Sequence, residues 1–393
     1  MRKIGLFVGA LLFAIIIQTR AYAEARPEAQ GVEYFDSVEV SLLTCAPHEE
    51  VYSLYGHTAL RWHDLHNGED LAFNWGVFNF GKPYFLLRFI FGLTDYELGV
   101  SDFQPFAAYY ARWGSMVSEQ ILDLTSAEKA RLNFLLAENY RPENRVYRYN
   151  YFFDNCSTRP RDIIERCIDG TVEYEERSDF EPTFRQMIRQ KTSRHDWATE
   201  GNDILLGLRA DLKTTRQEQE FLPENLQYDF DRARIHASDG SWRQLVRERR
   251  VAVPPGVQVV EPDFFLTPVA VGILLLVLSL SLAVIEWKRK KTFKCWDATL
   301  MTVTGLAGCI LFVMLFSQHP ATSTNLQLVL VNPVHLFFLP AVLRRRRTSY
   351  WNVVVVMVVL LFVGSLFQSY ATLTSFLALS LLIRYWIHLI LKC

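Results

Sequence analysis

Hydrophobic positions along this chain follow two regimes, and the change comes near Pro254-Pro255-Gly256. Before it, apolar residues recur with the short periods of strands and amphipathic helices. After it they gather into five long blocks: Phe264 to Ile285, Trp296 to Phe316, Leu326 to Leu343, Val353 to Phe367 and Leu373 to Leu391. Most of these blocks are long enough to cross a bilayer as helices, which predicts an all-α membrane domain of five spans over 260–393.

In the first regime, Ser37 to Leu43 alternates as a half-buried strand. Tyr55 to His63 predicts a second strand, whose period of two places His57, Ala59, Arg61 and His63 on one face and Thr58, Leu60 and Trp62 on the other. A turn centred on Asn67-Gly68 returns the chain into Leu71 to Phe78, with Phe73, Trp75 and Val77 directed to the core. If that turn is a two-residue hairpin, Asn74 falls opposite Arg61. It then shares a face with His57 but lies roughly 13 Å along the strand at about 3.3 Å per residue. Contact between Asn74 and His57 therefore calls for a wider loop and a register shift that keeps the face.

Aromatic and aliphatic residues crowd Phe80 to Tyr110, a run that fits either a core or a surface dipping into a bilayer. Glu119 to Leu124 reads as a strand, Thr125-Ser126-Ala127-Glu128 opens a helix that continues to Tyr140, and Arg145 to Phe153 alternates as a further strand. Pro160 is tolerated only in a first helical turn, so the next helix starts at about Ser157 or Thr158 and stops near Gly170. A charged helical extension then covers about 171–250, with helices over Pro182 to Lys191 and Ile204 to Gln217. These elements predict an α+β domain with its core at about 35–170.

The extreme N-terminus changes where this domain is placed. Met1-Arg2-Lys3, the apolar run Ile4 to Ile17 and Ala21-Tyr22-Ala23 form the three parts of a secretory signal cleaved after residue 23, so that 24–259 is exported. The alternative is an uncleaved N-terminal anchor, for which Gln18-Thr19-Arg20 leaves the run short. Lys288 to Lys291 and Arg344 to Arg347 follow the first and third apolar blocks. The positive-inside rule assigns both loops to the cytoplasm and brings the C-terminus there too. His319, Asn332 and His335 then fall near the outer surface, where they could seat a lipid headgroup or simply lie in the interface. A net charge of −1, with no basic stripe among aromatics, excludes nucleic acid as a partner class.

Candidate chemistry centres on Cys156. It lies at the positive end of the helix after it, with Arg159 and Arg161 one turn away, a setting that favours the reactive thiolate. A buried structural cysteine is the commoner fate of such a residue taken alone. The exported region holds three cysteines, Cys45, Cys156 and Cys167; a Cys45–Cys167 bridge and three reduced thiols both remain open. His57, a polar residue on the neighbouring strand and Cys156 supply a base, an orienter and a nucleophile for acyl transfer. His57, His63 and His66 offer no compact ligand spacing, and neither a metal nor another cofactor is called for.

The histidine precedes the cysteine, the reverse of papain's order and that of circularly permuted relatives such as the lecithin retinol acyltransferase group. More closely, Tyr55-Gly56-His57-Thr58-Ala59-Leu60-Arg61, Asn74-Trp75-Gly76-Val77-Phe78 and Tyr151-Phe152-Phe153-Asp154-Asn155-Cys156-Ser157-Thr158-Arg159 resemble the periplasmic domain of the Lnb-type lipoprotein N-acyltransferases. Trp197 to Asp211 and the multi-span region after it are also similar to that family. The resemblance implies a permuted papain-like fold of the NlpC and lecithin retinol acyltransferase type, with Cys156 and His57 catalytic and Asn74 as the third member. Asn155, Arg159 and Arg61 are candidates for holding substrate or the oxyanion.

It further implies transfer of a fatty acyl group from a phospholipid to the N-terminal amine of a diacylglyceryl-cysteine lipoprotein. The setting would be a bacterial inner membrane, with the catalytic domain facing the periplasm and membrane lipid around the spans. The same residues with water as acceptor would make a membrane-anchored cysteine hydrolase, a peptidase, amidase or phospholipase. A third alternative is a sensor whose outer domain only binds a ligand.

Overall fold

The computed structural model describes residues 32–78, 83–177, 181–260, 263–344 and 349–391. The expected signal segment, 1–23, and most of the arginine run after Leu343 lie outside them. The described chain divides into two compact units: residues 32–78, 94–177 and 216–260 form one, and 83–93, 181–215 and the described residues of 263–391 form the other.

The first unit is built on strands β1 (Val38–Cys45), β2 (His57–Asp64), β3 (Asp70–Val77), β4 (Asp95–Asp102), β5 (Val117–Leu122), β6 (Val146–Arg148), β7 (Gly170–Glu173), β8 (Arg234–Ala237), β9 (Trp242–Gln244) and β10 (Val246–Val253). Among the described residues, seven of these form an antiparallel sheet in the order β10-β5-β1-β2-β3-β4-β6, and β7-β8-β9 form a small second sheet.

Alternation within the strands feeds two cores, one on each face of the large sheet. Val40, Leu42, Leu60, Trp62, Phe73 and Trp75 pack against Leu132 and Leu136 of the helix Ser126–Tyr140 and against Ile163, Ile164 and Cys167 of the helix Thr158–Cys167. On the opposite face Leu43, Cys45, Ala59 and Ala72 meet Phe103, Phe106 and Tyr110 of the helix Phe103–Arg112. The helix Ser126–Tyr140 opens with the anticipated capping box: Thr125 accepts from the Glu128 N–H while Glu128 accepts from the Thr125 N–H.

Two sequence expectations need correction, and one question left open is answered. Arg145 to Phe153 is extended only over β6, because Asn150 and Asp154 then exchange backbone hydrogen bonds and the Asn150 side chain accepts from Phe152 N, closing a turn. The extension at 171–250 is not uniformly helical; it contributes β7 to β10. The strand β10 escapes a periodicity reading because it is a sheet edge whose Arg247, Glu248, Arg249 and Arg250 are solvated. Cys45 and Cys167 are unbridged thiols buried in the two different cores, so no disulfide joins them.

The second unit contains helices Pro268–Arg289, Lys294–Met314, Val334–Leu343, Tyr350–Gly364 and Thr372–Leu391. Among the described residues four stretches are long and apolar enough to cross a membrane: Pro268–Arg289, Lys294–Met314, Leu326–Leu343 and Thr372–Leu391. The remaining expected span is a shorter helix, Tyr350–Gly364, of 15 residues. At about 1.5 Å per residue it is shorter than a bilayer's hydrocarbon core of about 30 Å.

Residues 181–215 are tied to one end of these helices. The Asn325 and Gln327 side chains donate to carbonyls of Ile204 and Asp203, Gln368 donates to Leu206 O, and Glu200 accepts from Thr372 N and Leu373 N. At the other end Arg384 is enclosed by Glu286 and Asp297, and His388 Nε2 lies 3.0 Å from the second Asp297 oxygen. His335 and Asn332, considered above as headgroup contacts, are engaged internally. His335 sits between Tyr350 Oη and Leu330 O, and Asn332 caps its own turn.

Candidate active site

His57 opens β2 and Asn74 lies on β3. Register between the strands pairs Arg61 with Ala72 and His63 with Asp70, two residues away from a two-residue hairpin. The wider loop exists because Asp64 accepts from His66 N, Asn67 N and the Ser37 hydroxyl, which holds the connection open. A shift of two preserves the face, so Asn74 comes diagonally beside His57, within the reach of such pairs. Asn74 Oδ1 lies 2.6 Å from His57 Nε2. An amide oxygen accepts only, so Nε2 carries the proton and Nδ1 is left for the sulfur.

Cys156 reaches this pair from the start of the helix Thr158–Cys167. Asn155 closes the turn that leads into this helix, its Oδ1 accepting from Ser157 N and Thr158 N at 2.8 and 3.0 Å. Its amide nitrogen donates to Tyr151 O and Phe221 O, fixing the turn to distant chain. Ser157 Oγ lies 3.0 Å from Thr58 Oγ1 and so locks the helix start onto β2. Gly76 makes room: a Cβ there would meet His57 Cε1 at 3.6 Å and Cys156 Cβ at 3.8 Å, and its φ of +120° is itself glycine backbone.

The electrostatics follow from this packing. Burial would raise the Cys156 thiol, but the His57 charge and hydrogen bond, with hydrogen bonds from Thr58 N–H and the Ser157 hydroxyl, bring it below its ordinary value. Burial would lower the imidazole. The thiolate charge, its hydrogen bond and Asn74 raise it instead. The two groups thus favour a thiolate–imidazolium pair. Cys45, which ends β1 and pairs with His57 of β2, has no such partner, and burial pushes its thiol up. Aromatic rings surround the pair. Tyr96 stacks on Tyr149 at 4.1 Å and on Phe78 at 4.8 Å, and burial followed by the Cys156 charge pushes the Tyr96 phenol up to about 12.

The structure therefore brings together Cys156, His57 and Asn74, and it separates the other candidates from them. Arg61 donates to both oxygens of Asp70 at 2.7 Å and to Glu119 at 3.0 and 3.2 Å, over the ring of Phe103. Arg159 is bound bidentately by Asp154 at 2.6 and 2.7 Å above Tyr147, and Arg161 is paired with Asp162 and Glu220. The largest influences that bring the thiol down are thus His57, the Thr58 N–H and the Ser157 hydroxyl, while both arginines are held by carboxylates. Asn155, considered as an oxyanion donor, has its Oδ1 engaged by the helix start and its Nδ2 by Tyr151 O and Phe221 O. Thr58, Ser157 and Gly76 were missed as site residues, although each adjoins or lies within a motif that the sequence singled out.

Two family models match the chain: the Lnb N-terminal periplasmic domain over residues 30–190 and the Lnb transmembrane domain over residues 260–393. The chain belongs to the Lnb family. It is accordingly a membrane protein with a periplasmic domain, and the Lnb periplasmic match contains His57, Asn74 and Cys156. No curated protein and no solved structure matches it.

Proposed function

We propose that this Lnb-family chain is a lipoprotein-modifying N-acyltransferase with Cys156 as nucleophile, His57 as general base and acid, and Asn74 orienting the imidazole. The observation that carries the reading is the pairing of a lowered thiol with a raised imidazole whose far nitrogen is held by Asn74 at 2.6 Å. The antiparallel sheet with the nucleophile at a helix start, histidine before cysteine, supports a permuted papain-like reading of the first unit.

In the first half-reaction the Cys156 thiolate attacks an ester carbonyl of a phospholipid, forming the carbon–sulfur bond. The oxyanion is met by the Cys156 N–H, which has no partner among the described residues. Collapse of the tetrahedral adduct breaks the ester carbon–oxygen bond, and the departing lysolipid alkoxide takes the Nδ1 proton of His57. In the second, the α-amine of a diacylglyceryl-cysteine attacks the thioester, His57 takes the amine proton, and the thiolate leaves. The amide formed is more stable than the thioester broken, so the transfer runs downhill.

This reading places the protein in a bacterial inner membrane after signal cleavage at Ala23, with the four long stretches and the shorter helix Tyr350–Gly364 as five spans and a cytoplasmic C-terminus. The test is mass spectrometry of the intact protein after brief exposure to phospholipid, together with lipoproteins from a Cys156→Ala strain. An acyl adduct on Cys156 and lipoproteins lacking the N-linked chain are expected. Unchanged triacylation in that strain overturns the reading, and release of fatty acid without an amine acceptor favours a hydrolase.

A further inference from the structure

The second unit holds a cavity of about 270 Å³ between the start of the helix Phe184–Thr192 and the connection Ser365–Ser369 that joins two apolar helices. Arg185, Gln186, Arg189 and Asp211 line its polar side, and Leu366 and Phe367 its apolar side. Asp203 and Asp211 balance the two guanidinium groups, so what the lining offers an anion is the positive end of the helix and whichever guanidinium nitrogen those carboxylates leave open.

The two arginines differ. Arg185 is buried and fully engaged by Asp203, Asp211 and the carbonyls of Leu206 and Gly207. Arg189 donates through Nε to Asp203 and reaches Tyr370 O at 3.5 Å through Nη2, leaving Nη1 without a partner among the described residues; its side chain is 38% exposed. Leu366 and Phe367 are 75% and 63% exposed at the end of an apolar helix, where acyl chains would begin. The volume lies just below the roughly 300 Å³ at which pockets for drug-sized ligands start, which suits a headgroup and not a whole lipid.

We infer that this cavity binds the phosphodiester headgroup of a membrane phospholipid, with Arg189 donating to the phosphate and Phe367 lying along the first acyl carbons. The inference rests on the helices around the cavity being in a membrane and not on any role of Cys156. It is therefore tested in full-length Cys156→Ala protein, where its failure is separate from failure of the acyl-transfer reading.

Native mass spectrometry in detergent would compare phosphatidylethanolamine, diacylglycerol with the same chains, and inorganic phosphate. Tight 1:1 retention of the phospholipid is expected, with diacylglycerol at least about tenfold weaker because it lacks the charge-assisted hydrogen bond, and phosphate at least about tenfold weaker because it lacks the acyl carbons that lie along Phe367. Arg189→Gln should weaken phospholipid about tenfold without changing diacylglycerol. Gln186→Trp, which fills the cavity without removing an ion pair, should do the same and covers the case in which Arg189→Gln misfolds. Equal retention of diacylglycerol and phospholipid, phosphate binding as tightly as the lipid, or phospholipid retention unchanged by a folded variant overturns the proposal.

Discussion

Each unit of this molecule buries a small group of charges, and the two groups are built to opposite ends. Among the apolar helices, Arg384 is wholly buried with Glu286 and Asp297, and all four carboxylate oxygens have partners, the last being His388 Nε2. A guanidinium does not lose its proton, so that cluster is permanent, and it joins three helices that lipid alone would not hold in register. In the first unit the charges of Cys156 and His57 come from a thiol and an imidazole that exchange one proton, and among the described residues neither has an ion-pair partner besides the other. What separates a structural charge cluster from a chemical one here is whether its members can give their charge up.

The comparison can be broken at three points. Replacing His57 by Ala removes the charge that lowers the thiol, and acylation of Cys156 should slow by about a thousandfold or more, as for members of coupled nucleophile–base sets. The measurement is adduct formation over time by mass spectrometry, with an unchanged melting curve expected. Replacing Arg384 by Met should do the reverse. It leaves two buried carboxylates uncompensated and should cost about 3–5 kcal/mol of stability, read from thermal unfolding in detergent. A variant as stable as the parent would mean that the cluster is not a structural tie.

Asn74→Ala should have the smallest effect, about tenfold on rate, with a displaced pH profile. In the parent, the rate rises as Cys156 ionises at its lowered value and falls as His57 loses its proton at its raised value, both limbs belonging to the coupled pair. Asn74 helps to raise His57, so its loss should move the alkaline limb to lower pH. A limb that stays in place, measured as acylation rate against pH, would assign Asn74 no part in orienting or charging the ring.

Much of the site was legible before the fold was known. That His57 and Asn74 share a face follows from strand parity, and that Cys156 opens a helix follows from Pro160. Their contact was not legible, because it depends on a register set by Asp64 bonding to His66, Asn67 and Ser37. The arginines were misjudged for a related reason. Arg61 looks available beside His57 until Asp70 and Glu119 come to it, and Arg161 until Glu220 does, from 58 and 59 positions away for the two glutamates.

The linear order of residues alone determined the split between a region of short hydrophobic periods and a shorter region of long apolar blocks, the faces of the central strands, the capping box at Thr125 and the thiol at a helix mouth. All of these are consequences of periods and propensities that act over a few residues. Only the tertiary structure decided which cation serves the thiol, which buried charges remain fixed, that β10 closes the sheet edge, and that Cys45 and Cys167 stay apart. Each of those turns on a distant partner, and hydrogen bonds and Coulomb interactions in a low-dielectric interior act only between groups that folding has already brought together.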